Sequence, residues 1–126
     1  MRALGPVQPA PFSGVPAIAS IKVYHVARAE EASDIEAHGF REPSGRYLAD
    51  SLNDGVWVAD RPLLAESGVE IGLAACFEIQ VPDRVLMGRE RSEQGQEYRK
   101  FLVPALLLNR YPRRRLTLYE LLIQVP

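Results

Sequence analysis

A period-two run at residues 75–81 constrains this chain more than any other feature. Ala75, Phe77, Ile79 and Val81 alternate with Cys76, Glu78 and Gln80. Successive strand side chains point to opposite faces, so the run predicts a half-buried strand with one continuous apolar face. Such a strand cannot stand alone, because its apolar face and its backbone N–H and C=O groups all need neighbours. Other segments supply them. Residues 21–26 are rich in β-formers, 56–59 make a short apolar strand, and 98–103 read as a strand ended by Pro104. Residues 116–125 are strongly apolar and predict a final strand, central in a sheet or well covered.

Helical signals are few. Ala29, Ala32 and Ile35 recur at helical spacing among Glu30, Glu31, Asp34 and Glu36, and Gly39 follows as a stop. This predicts a short amphipathic helix with acids early, where the helix dipole favours them. His38, beside Gly39, is accounted for by its place at the helix end. Residues 41–54, broken by Pro43, Gly45 and Asn53, form a loop, and residues 83–95 a charged loop. Residues 62–73 leave a short helix open, and 106–108 a helical turn or a strand edge. Long strands, irregular loops and one or two short helices predict an α+β domain dominated by sheet. Pro6, Pro9, Pro11 and Pro16 make residues 1–19 a flexible or extended arm, leaving 20–126 as a single domain.

Composition removes several functional classes. The formal net charge is −1, so no global field draws the chain to nucleic acid or membrane. The one cysteine excludes an intramolecular disulfide, and its apolar surroundings predict a buried, inert thiol at Cys76. With one cysteine and two histidines out of metal-motif spacing, no zinc site can be written, and no metal is expected. There is no Gly-x-x-x-x-Gly-Lys loop and no Gly-x-Gly-x-x-Gly turn. The start lacks a basic region followed by an apolar run, and no stretch approaches the roughly 18–20 apolar residues that span a bilayer. The expectation is a soluble, cytoplasmic protein. Arg113-Arg114-Arg115 is the densest positive cluster, read as a solvated loop, with a phosphate or nucleic-acid contact as the functional alternative.

Three short segments carry chemistry. His25 lies on the first predicted strand in Lys22-Val23-Tyr24-His25-Val26. Trp57, the only tryptophan, lies in Gly55-Val56-Trp57-Val58-Ala59-Asp60, where its ring could be core or a platform for a flat ligand. Glu97 lies in Gln96-Glu97-Tyr98 at the start of a late strand. Together and in this order, over residues 21–103, these segments resemble the poly(ADP-ribose) polymerase-type branch of the ADP-ribosyltransferases. In that family a Tyr-His-Gly strand leads into a helix ending in glycine and an apolar residue, as here at Gly39-Phe40. A Gly-Ile-Tyr-Phe-Ala-Asp strand follows, and an Asn-Glu-Tyr segment holds the catalytic glutamate. The short chain is most similar to small bacterial, phage or toxin-type members.

The resemblance implies a split β-sandwich and NAD as co-substrate. It assigns Glu97 the catalytic role and gives His25, Val26, Trp57 and Tyr47 to the dinucleotide pocket. Cleaving the nicotinamide–ribose bond generates an oxocarbenium-like sugar, which a carboxylate stabilises. His25 would hold the adenosine-side ribose and Trp57 would stack on nicotinamide. Two departures stand out. Trp57 replaces the usual tyrosine, keeping the stack without the hydroxyl. Val26 replaces a glycine whose backbone grips the nicotinamide amide, and it still offers that N–H and C=O beside a bulkier wall. The acceptor is open: protein, nucleic acid or small molecule. Water as acceptor would make the domain an NAD glycohydrolase, and a non-catalytic ADP-ribose or NAD-binding or interaction domain is the further alternative.

Overall fold

The computed structural model describes residues 19–41 and 55–124. Five strands form one antiparallel sheet: β1 (Ser20–Arg28), β2 (Val56–Ala59), β3 (Ala74–Pro82), β4 (Lys100–Val103) and β5 (Arg113–Arg115). Their order is β4-β2-β1-β3-β5, so the first strand is central. The predicted alternating strand is β3, and every residue of β1 has a partner in it, from Ser20 opposite Pro82 to Arg28 opposite Ala74.

Alternation sorts the side chains to two faces. On one, Val23, Phe77, Ile79, Val81, Val58, Phe101 and Val103 build the main core. Three short helices cover it through Ala32 and Ile35 of α1 (Ala32–His38), Val85 and Leu86 of α3 (Asp83–Leu86), and Ala105 and Leu108 of α4 (Ala105–Leu108). Phe77, Phe101, Ile79 and Leu108 are fully buried, which stabilises the fold by roughly 1.5–3 kcal/mol each. The other face carries a smaller cluster of Tyr24, Cys76, Leu116 and Leu121, joined by Val26, Leu64 and Ile71. Cys76 is the buried thiol expected, and burial pushes its pKa up to about 12. The chain is thus a small α+β domain. The described strands all lie in one sheet, with helices packed against it.

Several local expectations are corrected. The final apolar run is not a strand: Leu118–Gln124 is a helix, α5. Thr117 and Glu120 close a reciprocal capping box, with Thr117 Oγ1 accepting from the Glu120 amide at 3.1 Å and Glu120 Oε1 from the Thr117 amide at 2.9 Å. That pair satisfies the first orphan amides and starts a helix where hydropathy alone suggested sheet. Only Leu121 of α5 is buried; Leu118, Tyr119, Leu122 and Ile123 are exposed. Against the expected one or two helices, the described residues form five with α2 (Leu64–Ser67), because single helical turns also form in the segments read as loops or left open. The arginine cluster is not a loop either. It is edge strand β5, and its cations meet internal partners: Arg113 donates to the Ile35 and Glu36 carbonyls, Arg114 to Glu78 and Glu120, and Arg115 pairs with Glu36. A short, charged edge strand also discourages pairing with another chain.

The first helix follows expectation. It opens with a 3₁₀ turn at Ala29–Glu31 and stops at Gly39, whose φ of +86° suits glycine. His38, in the last turn of the helix, contacts Asp34 at 3.0 Å one turn back.

Candidate functional site

The sheet is not uniformly zipped. β2 pairs with β4 along its whole length, from Val56 opposite Val103 to Ala59 opposite Lys100, yet it meets β1 at one registered pair, Tyr24 opposite Ala59. Gly55 helps set this asymmetry. Its φ is +149°, and a Cβ there would stand 2.9 Å from Leu102 Cγ, so glycine lets the start of β2 lie close against β4. The pairs that would continue the β1–β2 ladder, Val26 opposite Trp57 and Ala27 opposite Val56, do not form. A cleft of about 590 Å³ opens there, lined by Val26, Arg28, Glu31, Trp57, Glu66 and Lys100 among others, within the range of small-molecule sites.

His25 spans this gap. Its Nδ1 lies 2.8 Å from the Trp57 carbonyl oxygen. A carbonyl only accepts, so Nδ1 carries the proton and Nε2 is left as an acceptor. The ring packs edge-on against Phe40 at 5.2 Å, and Phe40 against Phe77 at 6.0 Å, tying the site to the core. Burial pushes the His25 pKa below its usual value, over the opposing influence of the Trp57 carbonyl and of Glu31. The burial favours the neutral imidazole.

Trp57 projects from the other face, because Tyr24 and Ala59 are paired and Trp57 lies two residues from Ala59, whereas His25 is adjacent to Tyr24. The two residues expected to act together therefore meet through the Trp57 backbone, not through their rings. Val26 shares the Trp57 face and lines the cleft. Trp57 is 42 % exposed, which a core role does not explain. The Lys100 ammonium lies 5.1 Å from its ring centroid and 3.2 Å from Glu66 Oε1.

Glu97 lies outside this cluster. It is exposed, in the turn before β4, and is not among the cleft-lining residues. The turn is stapled to the end of β2: the Asp60 amide donates to the Arg99 carbonyl, Asp60 Oδ1 accepts from the Arg99 amide, and Arg61 donates to the Glu97 carbonyl at 3.1 Å. The aspartate closing the Gly55–Asp60 segment thus ties the Trp57 strand to the Glu97 turn. The carboxylates in the cleft are Glu31, which accepts from the Arg28 amide at 3.1 Å, and Glu66. Tyr47 lies outside the described residues.

Lys100 and Glu66 were not anticipated. The one signal for Lys100 was its being a lysine where nearly every other cation is arginine; Glu66 sat in a stretch with no clear periodicity. Among the described residues no group of acids, histidines and cysteine could hold a metal, and no helix is long and apolar enough to cross a membrane. No protein-family model matches the chain, and neither does any curated protein or solved structure.

Proposed function

We propose that the cleft binds NAD and that the domain transfers ADP-ribose from it to an acceptor, releasing nicotinamide, on an ADP-ribosyltransferase-like scaffold. One observation carries this reading: the three segments that resemble the family lie on neighbouring strands. β1 with His25, β2 with Trp57 and β4, preceded by Glu97, are adjacent in the sheet although dozens of residues separate them in the chain. The cleft opens at the junction of the first two.

In this reading Trp57 stacks on nicotinamide and Val26 presents its backbone to the amide. His25 projects from the opposite face, so in this reading the dinucleotide passes through the gap between β1 and β2 for His25 Nε2 to accept from a ribose hydroxyl. Glu97 stabilises the positive charge that develops on the sugar, the largest single contribution to be expected of one group. Its turn sits at the end of β2, so the carboxylate must enter the cleft from that end.

The exposed position of Glu97 favours a second reading, in which the cleft holds NAD or ADP-ribose without turnover. Nicotinamide release from NAD by the wild type and by Glu97→Gln, with and without cell lysate, separates the two. Transfer predicts release that falls about a hundredfold or more in Glu97→Gln, with lysate accelerating it when it contains the acceptor. Release that lysate does not change, with no label reaching an acceptor, makes water the acceptor. NAD binding without release by either protein leaves the binding reading, and absence of both overturns the assignment.

A further inference from the structure

The face of Trp57 is already a cation site. The Lys100 ammonium rests 5.1 Å from the ring centroid, and Glu66 holds it there at 3.2 Å. The Lys100 side chain is only 17 % exposed, whereas Trp57 is 42 % exposed and the cleft is open beside both. An aromatic face carrying a cation, with a carboxylate alongside, is the arrangement that recognises a positively charged ring, since the ring quadrupole and the counter-charge both favour it. Lysine is suited to be the displaceable occupant: its ammonium sits on a flexible stem and is readily rehydrated when it leaves.

We infer that Lys100 and Glu66 form a charge gate on Trp57. In the free protein Lys100 covers the indole. A flat cationic ring, of the N-alkylpyridinium class, displaces it and takes over Glu66 as counter-charge, while a neutral ring of the same shape does not. This deepens the NAD reading, because oxidised NAD carries such a ring and reduced NAD does not, but it rests on the cleft and not on turnover.

The chain holds a single tryptophan, so intrinsic fluorescence reports on this face directly. Full-length protein is titrated with 1-methylnicotinamide, which is cationic, and with nicotinamide, its neutral counterpart. Free N-acetyltryptophanamide serves as the control for collisional quenching. Expected is saturable quenching by the cation at concentrations about fivefold or more below those at which nicotinamide acts. Lys100→Met, which removes the competitor, tightens the cation about three- to tenfold, and Glu66→Gln weakens it by a similar factor. Glu66→Gln leaves the neutral ring within about twofold, and Lys100→Met tightens the neutral ring less than the cation, because the uncovered indole favours either ring but only the cation also gains Glu66.

Equal affinity for the two rings in wild type overturns the inference with no variant needed. So does weaker cation binding in Lys100→Met, which would make Lys100 a ligand contact, and so does the absence of saturable quenching by either ring. A parallel NAD titration keeps the two ideas apart. Saturable NAD binding without charge selectivity sinks the gate and leaves the NAD reading standing; charge selectivity without NAD binding does the reverse.

Discussion

The two edges of β1 behave differently. Toward β3 every residue is paired, and Val23, Phe77 and Ile79 of the two strands are fully buried in the core on one face. Toward β2 the register holds at Tyr24 and Ala59 and then opens into the cleft. The same strand is a structural spine on one edge and the wall of a site on the other. A continuous ladder satisfies backbone groups and excludes ligand. A parted one exposes them, which is tolerable where the rest of the fold holds the strands in place.

Substitutions on the paired side should produce the largest effects. Phe77→Ala removes a fully buried β3 ring that packs edge-on against Phe40 and should cost about 3–5 kcal/mol, measured by urea denaturation. A loss below about 1 kcal/mol would mean that the ladder, not the ring, holds this edge. Gly39→Ala comes next. It forces a Cβ to within 2.6 Å of Asn109 Oδ1 at a φ of +86°, disturbing the paired hydrogen bonds between Asn109 and the Phe40 backbone. The expected cost is about 1–3 kcal/mol by the same measurement.

The cleft side should respond in the opposite sense, with small stability changes and large binding changes. Trp57→Ala should alter stability by about 1 kcal/mol or less, yet abolish saturable binding of the NAD proposed for the site, followed by calorimetry because the substitution removes the fluorophore. Lys100→Met breaks a partly exposed ion pair and should shift stability least of all, by less than about 1 kcal/mol. A large loss in either variant would move the cleft into the structural half of the comparison.

His25 joins the two halves and makes the boundary pH-sensitive. Its folded pKa is depressed, chiefly by burial. Between the folded and unfolded values the unfolded chain binds more protons, so stability rises with pH there. The contribution is complete above the ordinary histidine value of about 6.5 and is lost as pH falls toward the depressed one. Denaturation midpoints measured from pH 7.5 downward should fall more steeply in wild type than in His25→Gln. Parallel curves would show that His25 titrates alike in both states.

Much of the fold was legible in local pattern. The alternation at 75–81, the β-formers at 21–26 and the helix ending at Gly39 emerge as expected, because one buried face imposes its period on the sequence. The run at 116–125 reads as sheet although Thr117 and Glu120 spell out a helix cap, because an apolar run outweighs a two-residue signal. The arginines of β5 were illegible as strand, since what orders them is the carbonyls of α1 and the carboxylates of Glu78 and Glu120, far off in the chain.

The site divides in the same way. His25 and Trp57 could be singled out from residue type, Val26 only through the family resemblance, and all three line the cleft. Their geometry could not. That His25 and Trp57 project to opposite faces follows from pairing Tyr24 with Ala59, and a shift of one residue would have put them on the same face. That Lys100 and Glu66 meet at the indole, while Glu97 stays in an exposed turn, depends on how β4 is pinned to β2 by Gly55 and Asp60. The buried faces of β1 and β3 and the first helix are legible in the sequence by itself, because hydrophobic periodicity is a local property. Tertiary structure alone decided where the sheet parts and which charges gather there, because strand register and long-range packing are properties of pairs of segments.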